Sequence, residues 1–171
     1  MTETAAAREI ITVAVIDDDA NVRQGLWWLL NNVIGIRCTG AYASCQEFFD
    51  NTGPAPDILL LDIAMPGVSG FDAIPLIKAK HPALKIIMHS NFDDDDKIMR
   101  ARQAKVCGYI LKNASAPQLY EAIEQVYRGN SVWPAGFEQD EPDFNNSIPH
   151  AFLKALKRRL GALADGKRKP D

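Results

Sequence analysis

DILLLDIAMPGVSG, residues 57–70, places four consecutive apolar residues, Ile58 to Leu61, directly before an aspartate, Asp62, and then breaks into Met-Pro-Gly and a second glycine. A short, uninterrupted apolar run bounded by turn residues reads as a strand buried on both faces, the form that strands take in a parallel sheet. Its carboxyl end is where open α/β sheets hold their ligands, and that end carries a carboxylate.

Working outward from this strand, apolar runs alternate with amphipathic stretches along the chain. Strands are expected at Ile11 to Ile16, Ile36 to Tyr42, Ile58 to Leu61, Lys85 to His89 and Gly108 to Leu111, with helices at about 20–32, 44–51, 70–80, 93–104 and 115–129. Five βα units with such short connections imply right-handed crossovers and a doubly wound α/β domain: a five-stranded parallel sheet covered on both faces and ending near Trp133. Asp93 to Asp96 bring negative charge to the start of the fourth helix, where the macrodipole favours it, and Ser115 with Pro117 reads as an N-cap and a first-turn proline. Pro75 lies inside the third helix and removes an internal hydrogen bond, which implies either a kink or a start later than Gly70. On the first helix Val22, Leu26, Leu29 and Val33 form the inward stripe, and Trp27 and Trp28 point away from its centre.

Of the 171 residues, 47% are hydrophobic and 24% charged, which suits one globular domain of ordinary size with an appendage. The domain occupies 1–133. Residues 134–148, rich in prolines, acids and amides without a period, read as a linker. Residues 149–171 read as a basic amphipathic helix and tail, with Phe152, Leu156, Leu160 and Leu163 at helical spacing. The last 21 residues carry seven Lys or Arg against Asp165 and Asp171, so an acidic body bears a basic tail. Cys38, Cys45 and Cys107 form no CxxC pair and imply reduced thiols rather than a zinc site. MTETAAAREI has no basic region followed by an apolar core, and no apolar run approaches a membrane span, so a soluble, cytoplasmic protein is expected.

The strand ends explain the opening aspartate. Strand one ends in Asp17-Asp18-Asp19, strand three in Asp62, strand four in His89-Ser90-Asn91 and strand five in Lys112. All fall at carboxyl ends, so the fold gathers them into one pocket. Crowded carboxylates require countercharge, which a lysine and a divalent cation supply, and oxygen ligands suit Mg²⁺. Asp17 to Asp19 also read as caps of the first helix, above all Asp19; Asp62 has no helix of its own to cap.

VIDDDANVRQGL, DILLLDIAMPGVSG, IIMHSNFDDDD and GYILKNAS, in this order and spacing, resemble the four motif blocks of response-regulator receiver domains, over about residues 9–133. NVRQGL, FDD and GYILK resemble the NarL/FixJ-type subfamily in particular. The resemblance implies a flavodoxin-like receiver fold. It also implies that Asp62 is the phosphoacceptor, that Asp17, Asp18, Asp62 and the main-chain carbonyl of Ala64 hold Mg²⁺, and that Ser90, Tyr109 and Lys112 are the switch hydroxyl, the switch aromatic and the phosphoryl-contacting cation. Ala64 and Phe92 stand two residues after the phosphoacceptor and the switch serine, where the family sets the lifetime of the acyl phosphate. Neither side chain orients water, so slow hydrolysis is expected. His89, where an apolar residue is common, reads as a strand-end histidine near solvent.

The implied function is that of a two-component response regulator that takes a phosphoryl group from a sensor histidine kinase, dimerises on phosphorylation and drives a downstream output such as transcription. DNA would be reached only through an output domain that the roughly 37 residues after Pro134 are too few to supply. Two alternatives are a stand-alone receiver acting through protein contacts and a Mg²⁺-dependent phosphohydrolase with an aspartyl-phosphate intermediate. The latter requires a second acid two residues after the nucleophile, and that position is Ala64.

Overall fold

The computed structural model describes residues 9–137. They form β1 (Ile11–Ile16), α1 (Ala20–Asn31), β2 (Ile36–Tyr42), α2 (Cys45–Asp50), β3 (Ile58–Leu61), α3 (Gly70–Lys80), β4 (Lys85–Ser90), α4 (Asp95–Gln103), β5 (Gly108–Leu111) and α5 (Ala116–Tyr127). The five strands pair in parallel in the order β2-β1-β3-β4-β5, the flavodoxin-like arrangement of a doubly wound sheet. The five strands and five helices expected between residues 11 and 129 are all present, with β4 one residue longer than its apolar run because Ser90 still pairs, with Leu111 of β5.

Alternation along the strands divides the core into two layers. Ile16, Leu59, Leu61, Ile86, Met88 and Tyr109 pack on one face with Phe48, Ile74, Ile77 and Ile98. Val13, Val15, Ile58, Leu60, Ile87 and Ile110 pack on the other with Leu26, Leu30, Leu119 and Ile123. All four β3 residues are fully buried, as their unbroken apolar run requires. At the amino edge of the sheet, Asp57 Oδ2 accepts from the Thr12 amide at 2.8 Å and from its hydroxyl at 2.6 Å, which ties β1 to the entry of β3.

Side-chain caps fix the helix starts. Asp19 Oδ1 accepts from the Asn21 amide at 2.8 Å, Ser44 and Ser69 cap α2 and α3 through their hydroxyls, and Asp94 caps α4 ahead of Asp95 and Asp96. At α5 the Gln118 carboxamide oxygen accepts from the Ser115 amide at 2.8 Å, with Pro117 in the first turn. α3 begins at Gly70 and runs through Pro75, so the later start is excluded. The buried face of α1 centres on Leu26 and Leu30, with Val22, Leu29 and Val33 half-buried beside them, and Trp27 and Trp28 are exposed.

After α5 the chain returns along β5. Val132 bridges to Gly108, and its carbonyl accepts from the Tyr109 amide at 2.8 Å. Trp133 and Phe137 pack against the core, so one compact unit continues through Phe137 and includes the first four residues assigned to the linker. The amphipathic helix expected from 149 lies outside the described residues. Cys38, Cys45 and Cys107 are free thiols, and burial pushes Cys38 up to about 11.

Candidate functional site

β1 and β3 are neighbours whose crossovers leave in opposite directions, β1 toward β2 and β3 toward β4. A crevice forms beyond the carboxyl ends at such a switch point. Asp17 follows the last residue of β1 and Asp62 the last residue of β3, so these two carboxylates flank it. With Asp18 they bring one carboxylate oxygen each to within 4.8 Å of one another. Asp17 and Asp62 are only 1% and 4% exposed, whereas Asp18 opens to solvent.

Lys112, one residue past β5, supplies the countercharge. Its Nζ lies 2.7 Å from Asp17 Oδ2 and 3.2 Å from Asp62 Oδ2. The other oxygens are held by amides: Asp17 Oδ1 accepts from Asp19 at 3.0 Å and Asp62 Oδ1 from Ile63 at 2.8 Å. Burial pushes the Asp62 carboxyl above the usual carboxylate range; Lys112 opposes this and the charge of Asp17 adds to it. Burial also works against the Lys112 ammonium. The hydrogen bond that Lys112 donates to Asp17 and the charges of Asp62 and Asp17 outweigh it and leave Lys112 above the ordinary lysine value. Three clustered carboxylates offer hard oxygen ligands, so Asp17, Asp18 and Asp62 can hold a divalent metal ion, as the sequence implies. Ala64 is exposed in the loop after β3.

Ser90 closes β4 on the face of Met88, and its hydroxyl accepts from the Phe92 amide at 3.2 Å. Tyr109 is fully buried, and its hydroxyl donates to the Phe92 carbonyl at 2.7 Å. The aromatic therefore occupies the inward position, joined to Ser90 through the backbone of Phe92. The Phe92 ring is 38% exposed and lies 4.1 Å from Lys97 Nζ of α4, which turns it toward that helix.

His89 corrects a sequence expectation. It is buried, not near solvent, because its side chain shares the face of Ile87 and Ile110, over which α1 and α5 pack. Burial, with help from the Lys112 charge and against that of Asp17, lowers its pKa to about 4. Between that value and the unfolded value of about 6.5 the unfolded chain binds more protons, so stability falls as pH drops through this window. His89→Gln removes this titration. Its urea unfolding free energy is expected to lose about 2 kcal/mol less than that of the parent between pH 7 and pH 5; equal losses would show that His89 does not titrate in this window.

Two residues of the site escaped the sequence reading. Arg23 of α1 donates from Nη1 to the carbonyls of Asp17 and Asp18 at 2.7 and 2.9 Å and so clamps the acidic loop. A basic residue in the first turn of the helix after DDD was the available signal. Gly70 packs so closely under the loop that a Cβ there would lie 2.0 Å from the Asp62 carbonyl oxygen, a contact that no local pattern announces.

The comparisons with known proteins agree with this geometry. The family model described as "Response regulator receiver domain" matches residues 13–124. The response regulator GacA of Pseudomonas viridiflava is 29% identical over 164 residues, which are 92% of this chain and 76% of GacA. The response regulator protein VraR of Staphylococcus aureus is 34% identical over 124 residues, 72% of this chain and 59% of VraR. Among solved structures, the non-phosphorylated receiver domain of the stress response regulator RcsB from Escherichia coli superposes with a TM-score of 0.69 at 22% identity, covering 74% of this chain and 99% of that one. The chain belongs to the response-regulator receiver family, as its four motif blocks imply. Among the described residues no helix is long and apolar enough to cross a membrane.

Proposed function

We propose that the chain is a phosphorylation-controlled switch of a cytoplasmic two-component system, with Asp62 as phosphoacceptor and a sensor histidine kinase as donor. The observation that carries this reading is the convergence of Asp17, Asp18 and Asp62 within 4.8 Å at the switch point of the sheet, with Lys112 bridging the two buried carboxylates. The ionised Asp62 carboxylate attacks phosphorus in line. An O–P bond forms as the N–P bond of the donor phosphohistidine breaks. Lys112 favours the ionised nucleophile against burial and then pairs with the phosphoryl oxygens. Asp17, Asp18, Asp62 and the Ala64 carbonyl would hold Mg²⁺, which when bound neutralises charge on the phosphoryl oxygens.

Ser90 then turns its hydroxyl to the phosphoryl group, and the Ser90–Phe92–Tyr109 linkage carries that change to the surface of α4, β5 and α5. In this reading the surface controls homodimerisation or an output, with transcription reached through a further domain. In this reading residues 138–148 act as linker, residues 134–137 belonging to the compact unit, and 149–171 as a basic tail. A stand-alone receiver uses the same surface for protein contacts alone. Ala64, a non-acid two residues after the nucleophile, argues against a phosphohydrolase.

Beryllofluoride attachment tests the reading. With Mg²⁺ present, fluorine NMR should show bound resonances with the native chain and only free species with Asp62→Asn; identical spectra would overturn it. Asp18→Ala should weaken Mg²⁺ binding, followed by amide shifts, by on the order of tenfold or more; unchanged affinity removes Asp18 from the ligand set.

The acyl phosphate should be long-lived, because neither Ala64 nor Phe92 positions water. Ala64→Asn is expected to speed its hydrolysis by about tenfold or more. Phe92→Glu should do less, since Lys97 already stands over that side chain and would pair with the new carboxylate. If neither variant shortens the measured half-life, these positions do not set it.

A further inference from the structure

A cleft of about 230 Å³ opens on the α1/α5 side of the sheet, lined by Leu26 and Leu29 of α1, Ile110 of β5 and Leu119 of α5, with His89 and Lys112 as its polar groups. Two of its residues are not explained by folding. His89 is 6% exposed, and its ring nitrogens are not among the fully buried polar atoms that lack a partner, so the exposure it keeps is to the cleft that it lines. An apolar side chain would suit that face at least as well, so packing alone does not call for an imidazole. Gly25, also in the wall, sits in the middle of α1, where glycine weakens a helix relative to alanine. Its φ lies outside the left-handed region, and a Cβ there would meet nothing within 4 Å, so neither backbone nor packing demands a glycine. What Gly25 does is leave the cleft open.

We infer that this cleft binds a small molecule with a single-ring apolar body and one hydroxyl, the hydroxyl facing the His89 imidazole. A neutral imidazole offers one donor and one acceptor, and a hydroxyl matches both. The depressed basicity of His89 keeps it in that neutral form at pH 7. A cationic ligand would meet Lys112, and an anionic one would find that ammonium already engaged by Asp17 and Asp62. The size follows from the volume: an apolar cavity of roughly 150 Å³ accommodates benzene, so this one admits a substituted ring. Lys112 joins the cleft wall to the acidic site, so an occupant here lies against a residue of the phosphoryl-transfer machinery. The inference does not depend on phosphorylation.

Phenol and toluene are the probes, matched in shape and differing in the hydroxyl. In methyl and imidazole NMR titrations of the full chain at pH 7, phenol should shift Leu26, Leu29, Ile110, Leu119 and His89 saturably, with a dissociation constant of about 1 mM. Toluene should bind the same cleft about fivefold more weakly for want of the hydrogen bond. Gly25→Leu fills the cleft with a better helix former and should weaken phenol at least tenfold without lowering the unfolding temperature. His89→Leu should bring phenol and toluene to equal affinity, and His89→Gln should restore part of the difference. Three results would each overturn the inference: phenol shifts that do not saturate or do not centre on the cleft, equal affinity for phenol and toluene in the native chain, or undiminished phenol binding by Gly25→Leu.

Discussion

Lys112→Met is expected to lower stability by about 3–5 kcal/mol at pH 7 in the absence of divalent ions, the scale for removing one partner of a buried ion pair. The ammonium lies 2.7 Å from Asp17 and 3.2 Å from Asp62, and both carboxylates are almost wholly buried. Without it they repel one another with no countercharge. Burial already holds Asp62 above the usual carboxylate range, and losing Lys112 raises it further. A carboxyl whose folded pKa exceeds its unfolded value binds more protons in the folded state, so stability rises as pH falls through that interval. The deficit of the variant should therefore shrink between pH 7 and pH 5, and millimolar Mg²⁺ at pH 7 should shrink it as well. Urea titrations under these three conditions check the account. A deficit under about 1 kcal/mol, or one that grows on acidification, would mean that Lys112 does not neutralise the pair.

Gly70→Ala should have the largest effect on phosphoryl transfer of any substitution outside the acidic cluster and its lysine. Gly70 donates its amide to the Ile63 carbonyl at 3.0 Å, and a Cβ on it would lie 2.0 Å from the Asp62 carbonyl oxygen and 3.2 Å from Ile63 Cα. All three are backbone atoms at the end of β3, so no side-chain rotation relieves the clash. α3 and the Asp62 loop must separate by about 1 Å. Misplacing a reacting group by that much costs on the order of a hundredfold in rate, and such overpacking costs about 1–3 kcal/mol in stability. Acetyl phosphate with Mg²⁺ as donor should show a rate about a hundredfold lower, while Gly25→Ala, whose Cβ meets nothing within 4 Å, should transfer at the native rate. A native rate for Gly70→Ala would mean that the loop does not depend on this contact.

The contrast between these residues shows what was legible in the sequence. Ile58 to Leu61 announced a doubly buried strand because burial on both faces removes alternation, and five such signals separated by helical periods left one economical topology. The convergence of Asp17, Asp62, Ser90 and Lys112 was legible because a parallel sheet sends every carboxyl end to the same edge. The roles proposed for them rest on the resemblance of the four motif blocks, not on that geometry. Gly70 and Arg23 were illegible because each acts on a backbone segment fixed only by the fold, and a glycine at the start of a helix reads the same whether or not a carbonyl lies beneath it. His89 was misplaced for a related reason: a polar residue at a strand end reads as solvent-facing, and only the packing of α1 and α5 over its face shows that it is buried. Leu30 was missed because the expected stripe was centred one residue away from the side of α1 that the sheet covers.

The most direct measurement is the intact mass of the chain after incubation with acetyl phosphate, with Mg²⁺ and with excess chelator, for the native protein and for Asp62→Asn. The expected result is one added phosphoryl group on the native chain with Mg²⁺, lost on mild alkaline treatment as an acyl phosphate is, and no addition with chelator or in Asp62→Asn. Addition that persists in Asp62→Asn, or no addition to a folded native chain with Mg²⁺ present, would contradict the assignment of Asp62 as the phosphoacceptor.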